Sequence, residues 1–244
     1  MDKSLIPNIL LENEHLLAVD KPSGLMVHSD GRTSDPTLVD WIRDKYPKLE
    51  EVGELQKVSS GETIKRPGIV HRLDKDTSGV ILIAKTQEEF LHLKKQFQEH
   101  SIEKEYRAIV AGIVREDIQT ISRPIGRSSG DFRKWSAQRG AKGKLRDAET
   151  EIEVIDRFAD LTYISVFPKT GRTHQIRVHL KSIHRPVLCD PLYSFKDTPC
   201  PEELGRMALH ARKISFRNLN GDTETVVADM PESFERFLNT LRAE

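Results

Sequence analysis

Residues 71–86, HRLDKDTSGVILIAKT, place a dense polar run directly before an apolar one. The apolar part, VILIA, has the β-branched composition of a buried strand. Asp74 and Asp76 therefore lie where a strand is about to begin, and burying a charge there requires a partner. Three interpretations are open: a metal site of His71, Asp74 and Asp76, a carboxylate pair for acid–base work, or one catalytic aspartate. The metal site is the weakest, because no second His/Asp cluster elsewhere completes a ligand set.

A second polar stretch, DKPSGLMVH (20–28), follows the apolar run LLAVD. Its Pro-Ser-Gly core is a turn signal, because proline and glycine supply the backbone angles that tight turns need. By itself this stretch predicts a structural turn at the end of a strand.

The third polar stretch is FPKTGRTHQIRVHLKSIHRP (167–186). His174 and His179 are five residues apart, which differs from the i, i+4 pair of a zinc-binding helix. Arg177 lies beside an apolar stripe, and an arginine at the edge of a buried face needs a carboxylate. We expect that carboxylate to be Asp74, because a bidentate contact would keep Asp74 ionised and oriented at neutral pH.

Apolar patterning along the chain predicts an α+β fold. Strand-like runs occupy residues 16–20, 79–86, 106–114, 151–158 and 161–168. Only two residues separate the last two runs, which suggests a tight hairpin. Helical spacing occurs in four places: Leu38, Trp41 and Ile42; Phe90, Leu93 and Phe97; Ile176, Leu180 and Ile183; and Phe234, Phe237, Leu238 and Leu241. Residues 47–67 and 123–144 are predicted to be long loops, and no repeat or linker divides the chain into separate domains.

The composition, with 244 residues, 37% hydrophobic and 31% charged, is that of a soluble globular protein. No apolar run approaches the roughly 20 residues that cross a bilayer, and the N-terminus does not have the pattern of a secretory signal. We expect a cytoplasmic protein that begins at Met1, has no membrane partner and is a monomer. Cys189 and Cys200 lack CxxC spacing, which predicts two ordinary thiols rather than a disulfide or a zinc site.

The formal net charge is zero, but basic residues are concentrated locally. Between positions 123 and 147 there are eight basic and two acidic residues, and residues 169–185 add five basic residues and no acidic one. This distribution is compatible with a phosphate-binding face as well as with an ordinary solvated surface.

Taken together, these stretches resemble the RluA-type pseudouridine synthases. DKPSGLMVH is similar to the first motif of that family, GIVHRLDKDTSGVILIAKT to the second and KTGRTHQIRVHLKSIHRPV to the third. EKEYRAIVAG (103–112), RPIGR (123–127) and LHARKISF (209–216) also match, so the resemblance covers about residues 15–217. VLCDPLYS (187–194) departs from the family, which usually has a glycine before the aspartate and another after the tyrosine.

The resemblance implies one pseudouridine synthase catalytic domain over residues 1–244, without the S4-like RNA-binding domain of many members. It also implies an α+β fold with a central mixed, largely antiparallel sheet flanked by helices and long loops. The implied activity is isomerisation of uridine to pseudouridine in tRNA or ribosomal RNA, or both, with neither a cofactor nor a metal. RNA is then the expected partner.

Site residues follow from the same resemblance. Asp74 is the implied catalytic residue, Arg177 holds it as an anion, and Tyr106 stacks on the uracil with its hydroxyl near the departing C5 proton. Arg72 is the family's candidate for filling the space left by the extruded base. The full set expected to contact RNA is His71, Arg72, Arg133, Lys134, Arg172 and His174.

Two functions of other classes remain open at this point. The same scaffold could serve as an RNA-binding or RNA-folding protein that depends little on catalysis. A metal-dependent RNA hydrolase using Asp74 and Asp76 is the less favoured alternative, and insensitivity of the activity to EDTA would exclude it. For the synthase itself, the sequence does not decide whether Asp74 attacks C1' or removes a proton from the sugar.

Overall fold

The computed structural model describes residues 2–29, 34–57, 63–138, 141–198 and 200–243. The chain divides into two compact units. Unit 1 comprises Met1–Glu103 and Lys213–Ala228, and unit 2 comprises Lys104–Arg212 and Asp229–Glu244.

The helices and strands alternate irregularly along the chain. The described residues form four α-helices: α1 (Leu38–Lys45), α2 (Gln87–Gln98), α3 (Gln175–Ser182) and α4 (Glu232–Ala243). Their strands are β1 (Asn8–Glu12), β2 (Leu16–Lys21), β3 (Leu55–Lys57), β4 (Thr63–Lys65), β5 (Ser78–Ala84), β6 (Glu103–Ala111), β7 (Ile118–Ser122), β8 (Ile125–Arg127), β9 (Trp135–Ser136), β10 (Lys142–Arg146), β11 (Glu149–Arg157), β12 (Leu161–Pro168), β13 (Leu209–Arg217) and β14 (Thr223–Val227).

Unit 1 is built around the strand that follows the polar run. β5 is buried at all seven positions and pairs antiparallel with β2, which pairs antiparallel with β1. A strand buried on both faces carries a continuous apolar run rather than an alternating one, as VILIA does. The C-terminal part of β13 lies on the other side of β5 and pairs antiparallel with β14. The polar run 71–77 therefore leads into a strand that has neighbouring strands on both sides.

Unit 2 is an antiparallel arrangement in the order β6, β12, β11 and β7. The predicted hairpin joins β11 to β12, and its closing bond runs from the Phe158 amide to the Leu161 carbonyl at 2.9 Å. The core of this unit includes Ile176 and Leu180 of α3 and Phe234 and Phe237 of α4. The polar residues of α3 are mostly buried too, namely Gln175, Arg177, His179 and Ser182, so they need partners inside the protein.

Antiparallel pairing dominates the described ladders, and an isolated parallel bridge joins Met26 and Thr37. The predicted α+β class with a mixed, largely antiparallel sheet and four helices is confirmed. Within the described residues, no helix combines the length and hydropathy needed to cross a bilayer.

The two predicted long loops are wrong in part. Residues 47–67 include a short 3-10 helix, Pro47–Glu51, and the β3–β4 pair. Residues 123–144 include β8, β9 and the start of β10, which form a small three-stranded sheet. Strands of two to five residues are too short to show an alternating pattern, so their pairing partners define them.

The prediction for the cysteines is also wrong. Cys189 and Cys200 form a disulfide, with their Cα atoms 4.8 Å apart. A separation of eleven residues in the sequence does not by itself reveal that the two side chains meet.

Candidate active site

The loop that carries Asp74 leads directly into β5 of unit 1. Leu73 is buried, Asp74 is partly buried and Arg72 is exposed. The Thr77 amide donates to the Asp74 carbonyl at 3.2 Å, which closes a tight turn around the aspartate. Leu73 is thus anchored in the core, while the neighbouring Arg72 reaches the surface.

The Pro-Ser-Gly turn of the first motif fixes this loop from the side. The Gly24 amide donates to the Lys75 carbonyl at 2.9 Å, and the Ser23 hydroxyl donates to the Asp76 carbonyl at 2.7 Å. Gly24 has a φ of 89°, a conformation that a glycine adopts without strain. The turn predicted at residues 20–28 is present, and it holds the backbone that follows Asp74.

Lys21 completes this clamp from inside the protein. Its side chain is fully buried, and its ammonium donates to the carbonyls of Pro22, Leu25 and Lys75 at 2.8, 2.7 and 3.0 Å. Three carbonyls match the three donors of an ammonium group, which offsets the cost of burying the charge. Sequence reasoning missed this role of Lys21. A lysine at the end of the apolar strand β2 was the available signal.

His71 is held by both its ring edge and its ring face. Its Nε2 accepts a hydrogen bond from the Leu82 amide at 2.8 Å, and its ring stacks on Phe97 with centroids 4.7 Å apart. Arg72 is exposed and donates from Nη1 to His28 Nε2 at 3.0 Å. The contacts of His71 stabilise unit 1, and contact of either residue with RNA stays a prediction.

Arg177 of unit 2 has a buried carboxylate partner, as expected, and that partner is Asp190. Its Nε and Nη2 donate to Asp190 Oδ2 and Oδ1 at 2.7 and 2.8 Å, and the side chains are 3% and 0% exposed. Asp190 Oδ1 also accepts from the amides of Leu192 and Tyr193 at 2.8 and 3.0 Å. Pairing of Arg177 with Asp74 stays a prediction. Asp190 was missed because it lies in VLCDPLYS, where the resemblance is weakest.

His174 is tied to the same segment. It has a φ of 56° and directly precedes α3, and its Nδ1 lies 2.9 Å from the Tyr193 hydroxyl. That hydroxyl accepts from the Trp135 amide at 2.9 Å, so its proton is available to His174. The start of α3, the Tyr193 loop and β9 are therefore joined through one phenol group.

Gln175 and His179 fix α3 against the strands of unit 2. The Gln175 amide group donates to the Glu149 carbonyl and the Thr150 hydroxyl at 2.9 and 3.0 Å. His179 is fully buried between the Thr150 hydroxyl and the Arg123 carbonyl, and burial lowers the pKa of its imidazole. Both residues are structural, which agrees with excluding a His174–His179 metal pair.

The other predicted site residues of unit 2 differ in their surroundings. Tyr106 is half-buried on β6, opposite Val166, and packs against the core. Arg172 donates from Nε to the Asp147 carbonyl at 3.0 Å. Arg133 is exposed and forms a two-point ion pair with Asp131, which lowers the pKa of Asp131 to about 2. RNA contacts of Arg172 and Arg133 stay predictions.

Metal binding receives no support from the described part of the chain. No group of three or more His, Cys, Asp or Glu side chains there is placed to hold an ion. The interpretation of His71, Asp74 and Asp76 as a ligand set has no geometric basis among these residues.

Residues 15–182 match the family model described as RNA pseudouridylate synthase. The chain belongs to the RNA pseudouridine synthase family. The resemblance drawn from the motifs is therefore confirmed, and the enzymes of this family are isomerases.

Curated relatives align with nearly the whole chain. An uncharacterized RNA pseudouridine synthase of Synechocystis is 36% identical over 96% of this chain and 69% of its own length. Ribosomal large subunit pseudouridine synthase C of Buchnera aphidicola is 34% identical over 98% of this chain and 72% of its own length. Ribosomal large subunit pseudouridine synthase D of Neisseria meningitidis is 34% identical over 97% of this chain and 62% of its own length.

A solved structure extends the likeness to the fold. Human RNA pseudouridylate synthase domain containing 1 superposes with a TM-score of 0.74 at 23% identity, covering 100% of this chain and 98% of that one. The pseudouridine synthase fold that was expected is thereby confirmed. That residues 1–244 act as one catalytic domain stays a prediction.

Proposed function

We propose that this chain converts uridine to pseudouridine in RNA with Asp74 as the catalytic carboxylate and without a cofactor. The observation that carries the proposal is the clamp on the Asp74 loop. Two bonds to the Lys75 carbonyl and one to the Asp76 carbonyl hold the backbone directly after Asp74. Catalytic groups need such fixed placement, since a displacement of about 1 Å can cost roughly a hundredfold in rate.

The reaction is an isomerisation and needs only one carboxylate. The C1'–N1 bond breaks, the uracil turns over while bound, C5 bonds to C1', and the C5 proton moves to solvent as N1 gains one. Asp74 either forms a transient ester at C1' or takes a proton from the sugar and returns it. Because no external water attacks the sugar, a second carboxylate is not required.

Tyr106 and Arg177 have supporting roles in this proposal. Tyr106 stacks its ring on the extruded uracil and places its hydroxyl near the C5 proton. Arg177 keeps Asp74 ionised. The bidentate contact with Asp190 fixes the orientation of the Arg177 guanidinium, which would then share its charge between Asp190 and Asp74.

The names of the relatives favour ribosomal RNA as the first substrate to test. Two of them are ribosomal large subunit pseudouridine synthases. We propose large-subunit ribosomal RNA as the substrate, with transfer RNA as the second candidate. Arg72 fills the space left by the flipped base, which requires its hydrogen bond to His28 to break.

The test is carbodiimide-dependent reverse-transcription mapping of unmodified ribosomal and transfer RNA transcripts incubated with purified protein. Wild type should produce stops at specific uridines. Asp74→Asn should produce none while RNA affinity changes little. Asp76→Asn is the matched control, because Asp76 contributes its backbone carbonyl to the clamp. Tyr106→Phe should bind RNA but lose most of its turnover.

Each outcome bears on a separate part of the proposal. Stops with Asp74→Asn would exclude Asp74 as the catalytic carboxylate. A wild-type rate for Tyr106→Phe would exclude a role for its hydroxyl. RNA binding without stops on any transcript would favour the alternative of an RNA-binding or RNA-folding protein.

A further inference from the structure

Unit 2 contains a surface pocket of about 200 Å³ that none of the proposed catalytic residues lines. Its walls come from three places: α3, the loop after Asp190, and the segment around β9. The lining includes Ser128, Lys134, Ser136, Val178, Lys181 and Tyr193. In the whole lining, two residues are lysines, four are serines and none is acidic.

The two lysines provide positive charge at the pocket, and the nearest carboxylates act on them without a direct ion pair: Asp131 interacts with Lys134, and Asp190 interacts with Lys181. Neither Lys134 nor Lys181 forms an ion pair or a side-chain hydrogen bond with the described residues. The Lys181 ammonium lies 3.7 Å from the centroid of the Phe195 ring. Burial and then the nearby charge of Lys134 lower the pKa of Lys181, and the Asp190 carboxylate opposes them only in part. An anion between the two ammonium groups would remove this repulsion.

Two serines add neutral donors to the same wall. Ser128 Oγ accepts from the Gly130 amide at 3.3 Å, and Ser136 Oγ accepts from the Gln138 amide at 3.1 Å. Each hydroxyl is occupied as an acceptor, which leaves its proton available to an incoming oxygen. The pocket therefore offers two ammonium groups and two hydroxyl protons, which suits a ligand with several acceptor oxygens and negative charge.

We propose that this pocket binds a backbone phosphate of the RNA substrate. The assignment rests on the proposed function for the identity of the ligand, since RNA supplies phosphates bound in a chain. Val178 and Lys181 belong to α3, the helix that also carries Arg177, and Tyr193 belongs to the loop that holds Asp190. A phosphate here would hold the RNA against the helix that positions Arg177.

The test measures binding of a fluorescein-labelled single-stranded RNA of mixed sequence by anisotropy, at several KCl concentrations. The variants are Lys181→Gln and Lys134→Gln, each checked by circular dichroism and thermal melting. Lys48→Gln is the control, because it removes one positive charge from an exposed position in unit 1. Lys134 lies on a loop, so its variant keeps the test valid if Lys181→Gln fails to fold.

Each pocket variant should weaken RNA binding about tenfold at low salt and reduce the slope of log Kd against log salt by about 0.7. Lys48→Gln should leave both unchanged. Wild-type values in both pocket variants, or an equal loss in Lys48→Gln, would overturn the proposal. The bound anion could be an RNA backbone phosphate or free inorganic phosphate, and calorimetry with inorganic phosphate distinguishes the two. If the pocket variants lose phosphate binding but bind RNA like wild type, the pocket is a site for a free anion and the proposal is wrong.

The outcome does not depend on turnover. If wild type makes no pseudouridine but both pocket variants lose RNA affinity, the proposed function fails and the phosphate pocket stands. If wild type makes pseudouridine and the pocket variants bind RNA normally, the proposed function stands and the phosphate pocket fails.

Discussion

Replacing Asp190 by asparagine should destabilise the protein strongly. The carboxylate accepts four hydrogen bonds: two from Arg177 and one each from the amides of Leu192 and Tyr193. The Asp190 side chain is 0% exposed and that of Arg177 is 3% exposed. Asparagine keeps the shape, but it removes the charge and turns one acceptor into a donor that faces other donors. Arg177 stays buried but loses its bidentate counter-charge.

Breaking a buried ion pair from one side costs about 3 to 5 kcal/mol. For a chain of this size, each kcal/mol lowers Tm by roughly 2 to 4 °C. Asp190→Asn should therefore melt roughly 6 to 20 °C below wild type.

The ion pair of Asp156 with Arg242 provides a matched control. Arg242 also donates through Nε and Nη2, to Asp156 Oδ2 at 3.1 and 2.8 Å, but the side chains are 49% and 38% exposed. Exposed pairs contribute about 0.2 to 1 kcal/mol. Asp156→Asn should therefore lower Tm by at most about 4 °C.

Differential scanning fluorimetry and urea denaturation of the three proteins at pH 7 and 150 mM salt measure the difference. Asp190→Asn melting within 3 °C of wild type would refute the reasoning, since the carboxylate would then contribute little. Equal losses in both variants would show that burial does not determine the effect. The single-turnover rate of pseudouridine formation by Asp190→Asn, measured well below its Tm, would show whether a displaced Arg177 slows the reaction.

Two further changes test one lysine in each unit: Lys21, which is fully buried, and Lys104, which is partly buried. Lys21→Met should lower the free energy of unfolding by about 2 to 4 kcal/mol in urea, because the Pro22 and Leu25 carbonyls lose this donor and the Lys75 carbonyl keeps only the Gly24 amide; an unchanged midpoint would show that the carbonyls find other donors. Burial lowers the pKa of Lys104 from 10.5 to about 8, so the charged amine destabilises the fold below pH 8. Lys104→Met should raise the free energy of unfolding at pH 7 by at most about 3 kcal/mol, and this gain should shrink as the pH rises through 8 towards 10.5. An equal gain at pH 7 and pH 10 would contradict that cause.

Much of the fold could be predicted because its main elements carry long periodic patterns. The four helices show apolar residues at helical spacing, and β12 begins and ends where its apolar run does. β3, β4, β8 and β9 have two or three residues each, which is too short for a pattern. Their pairing partners stabilise them, and single-sequence patterning contains no information on pairing.

The candidate site was predicted less completely, for a physical reason. Asp74, Tyr106 and Arg177 were identified by type and motif, whereas the groups that hold their surroundings act over long sequence separations. Lys21 reaches the Lys75 carbonyl, 54 residues away along the chain. Bonds to backbone carbonyls leave no signature in the residue that accepts them. Asp190 had no pattern of its own either, since a short turn brings it to Arg177.

The clamp on the Asp74 loop has a consequence for variation in this protein. Because Lys75 and Asp76 are held through their carbonyls, their side chains can change without loosening the loop. Lys21 and Ser23 supply side-chain donors and Gly24 has a φ of 89°, so these three positions tolerate far fewer substitutions. In a mutational scan for lost activity, substitutions at Lys21, Ser23 and Gly24 should therefore reduce activity as substitutions at Asp74 do. Substitutions at positions 75 and 76, beside Asp74, should be tolerated. Proximity in sequence to Asp74, the proposed catalytic residue, would then be a poor guide to sensitivity.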